Sequence, residues 1–186
     1  MLETELKCIL SEETYLELEK MFAWDWVKEQ INHYYTDSSN ELKKHGITLR
    51  IRTKDEINKI QIKTHKNADS PLQICEEAEY DTDSVPESFT ADAVKKMTGL
   101  NIPVSLLGSL TTLRHSLMYC EGVEICLDKN DFLDKTDYEI EIEYSNEVPK
   151  ELIDKLRASG VEFKMAATGK CTRFMLRLAE ILRGED

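Results

Sequence analysis

Chemistry appears in the first residues of the chain, where Glu3, Glu5 and Lys7 occupy every second position of ETELK. In an extended strand successive side chains alternate faces, so two carboxylates and an ammonium share one side. Such a face could hold a hard metal ion next to the oxygens of a polyanion. The alternation returns in Arg50 and Arg52 of TLRIR and in Glu139, Glu141 and Glu143 of YEIEIEY, with Leu49, Ile51, Ile140 and Ile142 on the other parity. A single strand of this kind would be an ordinary half-solvated strand, its ion pairs contributing ~0–1 kcal/mol each. Several together, with like charges stacked along one strand, point to a charged lumen, because carboxylates so placed repel unless cations lie between them.

Elements must position these side chains. After the first strand, Ser11 is expected to cap a helix running to about Gln30, with Glu12 and Glu13 in its first turn and Tyr15, Leu16, Leu18, Phe22 and Trp26 as its apolar stripe. INHYYTDSS reads as a strand entering a polar loop, and Leu42 to His45 as a short turn ended by Gly46. TLRIRTKDEINKIQIKTH reads as a hairpin around Asp55 to Asn58. Leu72 to Tyr80 is a further strand, and Thr90 to Thr98 a helix ended by Gly99. Leu110 to Tyr119, Val123 to Leu127 and Tyr138 to Tyr144 read as three more strands, with an acidic turn from about Asp128 to Asp137. Pro149 fits the first turn of a helix that Gly160 ends, and Thr168 the cap of a last helix from about Lys170 to Arg183. Strands joined by short turns favour antiparallel pairing, and charged faces alternating with apolar ones favour a closed barrel covered outside by helices. The expected class is therefore α+β: an antiparallel eight-stranded β-barrel with helices packed outside, in a single domain spanning residues 1–186.

Composition narrows the function. A net charge of -12 repels nucleic acid and anionic membranes at long range. A small polyanion can still bind where basic residues converge, since local geometry outweighs net charge at contact distance. The odd total of 5 cysteines contains no CxxC pair, which suits reduced thiols, and neither a secretory signal nor an apolar run of membrane-spanning length is visible. A cytoplasmic location is expected. His33, His45, His65 and His115 lack ligand-like spacing and read as surface or structural residues, and Cys8, Cys120, Cys126 and Cys171 as ordinary small residues. Phe22, Trp24, Trp26, Phe174, Leu178 and Ile181 read as residues packing helices on the barrel, with a homodimer face as the other reading.

In order along the chain, ExExK, LRIR after a KKHG turn, the lysine of QIK, the EEAE strand, LRH, LD and EIEIE resemble the CYTH superfamily, the triphosphate tunnel metalloenzymes. These include thiamine triphosphatases, inorganic triphosphatases and class IV adenylyl cyclases. The resemblance implies that Glu3, Glu5, Glu139 and Glu141 hold Mg²⁺ or Mn²⁺, and that Lys7, Arg50, Arg52, Lys63, Arg114 and Lys170 bind the triphosphate. It implies catalytic roles for Glu5 and Lys7, with Glu77, Glu79 and Asp128 as further tunnel carboxylates. The register of EIEIE leaves open which two of Glu139, Glu141 and Glu143 take the metal. ICEEAE lacks an arginine that many members carry there, and GKCTR keeps the lysine of the common SKY pattern but not its surroundings. The implied activity is metal-dependent hydrolysis of inorganic tripolyphosphate or a small organic triphosphate. The alternatives are an adenylyl cyclase forming cyclic AMP and diphosphate, and a non-catalytic polyphosphate or nucleotide binder.

Overall fold

The computed structural model describes residues 2–65, 72–163 and 168–184, with the side chains of 2, 3, 72 and 73 left out. Its strands are β1 (Leu2–Leu10), β2 (Trp26–Thr36), β3 (Ile47–Lys54), β4 (Ile57–His65), β5 (Leu72–Thr82), β6 (Ser88–Phe89), β7 (Val104–Cys120), β8 (Val123–Phe132) and β9 (Lys135–Tyr144). The helices are α1 (Glu12–Met21), α2 (Glu41–Lys44), α3 (Ala91–Thr98), α4 (Lys150–Ala158) and α5 (Lys170–Arg183). Eight strands run in the order β2-β3-β4-β5-β1-β9-β8-β7, and a β2–β7 pairing closes them into an antiparallel barrel. The two-residue β6 is an addition to the outer end of β7.

The apolar parity of the strands faces outward. Ile125, Leu127, Ile140 and Ile142 meet Tyr15, Leu18, Leu152 and Leu156 of α1 and α4 in one dry cluster. Leu49, Ile51, Ile60 and Ile62 meet Leu42 of α2 and Val94 of α3 in a second. This inverted arrangement, with oil outside the wall and charge within, explains why the strands alternate so strictly. Helix α5 is placed differently. Its Phe174 reaches Tyr34, Leu110 and Phe132, which share the inward parity, so α5 lies against one end of the barrel. The approach is close enough that a Cβ on Gly108, where φ is +155, would lie 2.6 Å from the Phe174 ring.

Several local expectations hold. Thr14 N–H donates to Ser11 Oγ at 3.1 Å, capping α1. Asp55 and Glu56 turn the β3–β4 hairpin with φ of 52 and 63, the left-handed pair that a two-residue turn requires. Thr90 caps α3 and Gly99 ends it at φ 82.

Others are corrected. Helix α1 stops at Met21, not near Gln30: the Trp24 indole donates to the Glu19 carbonyl at 2.9 Å, occupying an acceptor at the helix end, and Asp25 N–H bonds Ser116 O at 2.9 Å to start the pairing with β7. Trp26 to Gln30 are therefore strand. β7 begins at Val104 rather than Leu110, since its first residues pair with β6 and with the end of β2. The stretch from Asp128 to Asp137 is strand on both sides of a tight turn at Leu133 and Asp134, which places Asp128 inside the ladder. Pro149 is the residue before α4 rather than in its first turn, and the N-cap of α5 is Gly169, not Thr168.

Candidate active site in the barrel lumen

Strand parity decides what reaches the lumen. On β1, Glu5 and Lys7 turn inward; on β9, Glu139, Glu141 and Glu143; on β3, Thr48, Arg50, Arg52 and Lys54. Together with residues of β2, β4, β5 and β7 and the start of α5, they enclose a cavity of about 600 Å³, within the ~300–1,000 Å³ range of small-molecule sites.

One wall is acidic and internally neutralised. Glu141 is its hub: one oxygen lies 2.8 Å from Lys7 Nζ and 3.0 Å from Lys170 Nζ, and the other contacts Arg114. Arg114 also grips Asp128 through Nε at 2.8 Å and Nη2 at 2.6 Å. The ammonium of Lys170 sits 2.8 Å from Asp128 and against Glu139. Arg173 on α5 bonds Asp137 at 2.6 Å and lies 2.8 Å from Glu139. Lys7 also lies 3.3 Å from Glu5, a residue only 6% exposed.

Burial by itself would raise the Asp128 and Glu141 carboxyls, but the cations outweigh it: Arg114 and Lys170 hold Asp128 below its ordinary range, and Lys7 and Arg114 do so for Glu141. Burial would likewise lower the Lys7 ammonium, yet Glu141 and Glu5 keep it above its usual value. The unfolded carboxyls take up protons first as pH falls, so this stabilisation is complete above their unfolded range of ~3.9–4.3 and is lost below it. Thermal unfolding scans are expected to give a steady Tm from pH 7 to 5 and a steep fall below pH 4. A flat profile to pH 3 would contradict the ion-pair assignment.

The opposite wall is cationic. Among the described residues neither Arg50 nor Arg52 has a carboxylate partner. Arg50 Nε donates to Gln61 at 2.9 Å and Arg52 Nε to Asn32 at 3.1 Å, which aims both guanidinium groups without neutralising them. Burial, then Arg50 and Arg114, push the Arg52 guanidinium down to about 9. A guanidinium keeps its proton at neutral pH, so this wall is charge awaiting an anion. Lys63 lies 3.7 Å from Glu77. Glu79 stands at the rim, 42% exposed, bonded to Gln61 and 3.4 Å from Lys59.

Two sets of carboxylate oxygens lie within 4.8 Å of one another, Glu5–Glu141–Glu143 and Asp128–Glu139–Glu141. Both offer only hard oxygen donors, which suit Mg²⁺ or Mn²⁺. The first set lines the cavity; the second surrounds the Lys170 ammonium. Glu139, although ion-paired, receives no aligned hydrogen bond on either buried oxygen. The residues therefore fit a hard divalent ion, with Glu5, Glu141 and Glu143 the accessible set. All three glutamates of EIEIE point inward, and Glu141 belongs to both sets. The backbone of Glu3 lies in β1 opposite Cys75, and its side chain is outside the described residues.

Of the expected residues, Glu5, Lys7, Arg114, Asp128, Glu139, Glu141 and Lys170 converge on the acidic wall, and Arg50, Arg52, Lys63, Glu77 and Glu79 stand on the other side. Sequence reasoning missed Arg173, Asn32 and Gln61. Arg173 could have been found from its three-residue spacing from Lys170 on α5, and Asn32 and Gln61 from their parity in INHYY and KIQIK. His65 lines the cavity, its Nδ1 3.2 Å from Cys75 Sγ, while His115 faces outward against Glu19.

The CYTH domain model matches residues 1–174. A Bacillus subtilis (strain 168) protein named "Putative triphosphatase YjbK" is 34% identical over 120 residues, and the match spans 62% of each chain. Among solved structures, a Bacillus halodurans protein described as a "putative adenylate cyclase" is 25% identical with a TM-score of 0.68, covering 92% of this chain and 96% of that one. HpAC1 from Hippeastrum, a "Putative adenylyl cyclase" described as having a dominant triphosphatase activity, shares the fold at a TM-score of 0.74 and 21% identity, covering 93% of this chain and 95% of that one.

Proposed function

The chain belongs to the CYTH domain family, and on that premise we propose that it is a triphosphatase, hydrolysing inorganic tripolyphosphate or a small organic triphosphate with Mg²⁺ or Mn²⁺. The observation that carries this reading is Arg50 and Arg52, two inward guanidinium groups without carboxylate partners among the described residues, on the wall opposite Glu5, Glu141 and Glu143. A cavity that binds anions on one wall and hard cations on the other is suited to a metal-bound polyphosphate.

In this mechanism Arg50, Arg52 and Lys63 bind the phosphate oxygens and fix the chain along β3 and β4. Glu5, Glu141 and Glu143 would hold a divalent ion, and the family resemblance adds Glu3 to that set. That ion, when bound, supplies Lewis-acid stabilisation of phosphoryl oxygen charge. Lys7 and Arg114 keep Glu141 ionised and in place, and Asp128 fixes the Arg114 fork. Water forms the new P–O bond as the bridging P–O bond breaks, and a lumen carboxylate, Glu77 or Glu79, takes its proton. The substrate is a small molecule, with no nucleic-acid or membrane partner. We place the protein in the cytoplasm, a reading supported by cysteines that are all free; no helix among the described residues is long and apolar enough to cross a membrane.

The test is orthophosphate release from tripolyphosphate, ATP and thiamine triphosphate with Mg²⁺ or Mn²⁺, cyclic AMP being followed with ATP. Metal-dependent orthophosphate is expected. Cyclic AMP and diphosphate would replace the hydrolase with the cyclase, and tight tripolyphosphate binding without any product would make the lumen a binding module.

A further inference from the structure

Trp26 was expected to pack a helix onto the barrel, and it does not. It is the first residue of β2, on the inward parity with Gln30 and Tyr34, and it lines the charged cavity. It belongs to none of the three hydrophobic clusters among the described residues, whereas its neighbour Trp24 packs into the first. A large aromatic ring thus lines a charged lumen although a protein core is available two residues away.

Its surroundings indicate what it faces. Lys54 Nζ lies over the ring at 3.8 Å from the centroid, a cation–π contact in which a charged, exchangeable group covers one ring face. Burial, then Lys28, depress the Lys54 ammonium, which Asp55 partly offsets. Arg50, Arg52 and Lys54 succeed one another on the inward face of β3, each step spanning about 6.6 Å. Register sets Asn32 opposite Arg52, so Trp26, six residues earlier on β2, stands about three such steps along the strand from that arginine, the Lys54 side chain spanning part of the distance. It lies on β2 opposite Ser116, near the end of β2 away from Tyr34 and the Phe174 contact of α5.

Resting on the triphosphatase reading, we propose that Trp26 is a specificity residue: it stacks on an aromatic heterocycle carried by the substrate, so that the preferred ligand is an organic triphosphate with a ring rather than bare tripolyphosphate. Arg50 and Arg52 take the phosphates, and the ring lies outward over Trp26. Lys54 then exchanges its place on the ring for the phosphate nearest the linker. A purine and a cationic thiazolium or pyrimidine share the chemistry required, a planar π-face or charge for an electron-rich indole.

Three proteins decide the matter: wild type, Trp26→Leu, which keeps apolar bulk without a π-face, and Trp26→Phe, which restores an aromatic face. The quantity read is the ratio of kcat/KM for ATP, and separately for thiamine triphosphate, to that for tripolyphosphate. One of these ratios is expected to fall about tenfold in Trp26→Leu and to recover in Trp26→Phe; which one falls identifies the ring. Tryptophan emission gives a readout free of turnover: ATP or thiamine triphosphate added with EDTA should quench wild type and leave Trp26→Phe unaffected, while tripolyphosphate quenches neither. Equal ratios in all three proteins, or no quenching by either ring-bearing ligand, overturn the inference while leaving tripolyphosphate hydrolysis intact. If no substrate is turned over the hydrolase reading fails, and the quenching alone decides whether Trp26 receives a ring.

Discussion

Replacing Glu141 with Gln is expected to lower kcat on the preferred triphosphate by about 10²–10³-fold, the cost typical of removing one preorganised electrostatic contact from a water-poor site. The expectation follows from the position of this carboxylate, which is shared by both acidic sets and contacts Lys7, Arg114 and Lys170. Gln preserves the shape and one acceptor but removes the charge that the three cations offset. Stability should fall as well, because breaking a buried ion pair from one side costs about 3–5 kcal/mol, which for a chain of this size lowers Tm by roughly 2–4 °C per kcal/mol. The binding of tripolyphosphate in EDTA should move the other way. With one carboxylate gone and three cations left, the lumen is more positive, and Kd should be equal or tighter. Steady-state kinetics, thermal scans and metal-free calorimetry separate these effects. A kcat within tenfold of wild type, or a much weaker metal-free Kd, would show that Glu141 is structural rather than part of the chemistry.

The barrel was legible because the lumen writes itself into the strands: ETELK, TLRIR and YEIEIEY alternate charge with apolar residues, and each proved a strand, with Glu5, Lys7, Arg50, Arg52, Glu141 and Glu143 turned inward. What failed to show was the identity of residues whose type suits either side. Leu18, Phe22 and Trp26 follow one another at four-residue spacing, so a helical stripe continues through Trp26 although the helix has ended and the ring faces the lumen. Phe174 has the same ambiguity, an apolar residue on an amphipathic helix that meets the inward face of the barrel. Asp128 was hidden for another reason. Acidic residues cluster from Asp128 to Asp137 and resemble turn chemistry, but only Leu133 and Asp134 form the turn, and Asp128 is held in the ladder by its two bonds from Arg114. The two uncharged partners of the arginines, Asn32 and Gln61, carry no signal in isolation. They become informative once strand pairing sets Asn32 opposite Arg52 and Gln61 opposite Arg50.

Those pairings lead to the second large effect. Arg52→Ala should weaken tripolyphosphate binding by about 10–150-fold, the equivalent of the ~1.5–3 kcal/mol carried by a charge-assisted hydrogen bond, and KM should rise accordingly. The same substitution should raise the Tm of the ligand-free protein by a few degrees, roughly 2–4 °C per kcal/mol. Loss of function and gain of stability go together because Arg52 is a cation held next to Arg50 and Arg114, with, among the described residues, only the neutral Asn32 accepting from it, so the folded state carries its charge at a cost that an anion relieves. Tripolyphosphate should therefore raise Tm more in wild type than in Arg52→Ala, by RT ln(1 + [L]/Kd) in each case. Arg114→Ala is the contrast. Arg114 is fully engaged with Asp128 and Glu141, so its removal takes one cation from two buried carboxylates, leaving them to Lys7 and Lys170, and should lower Tm with or without ligand. If Arg52→Ala instead lowered the ligand-free Tm and left KM unchanged, the cationic wall would be a structural feature of the barrel and the anion site would have to lie elsewhere.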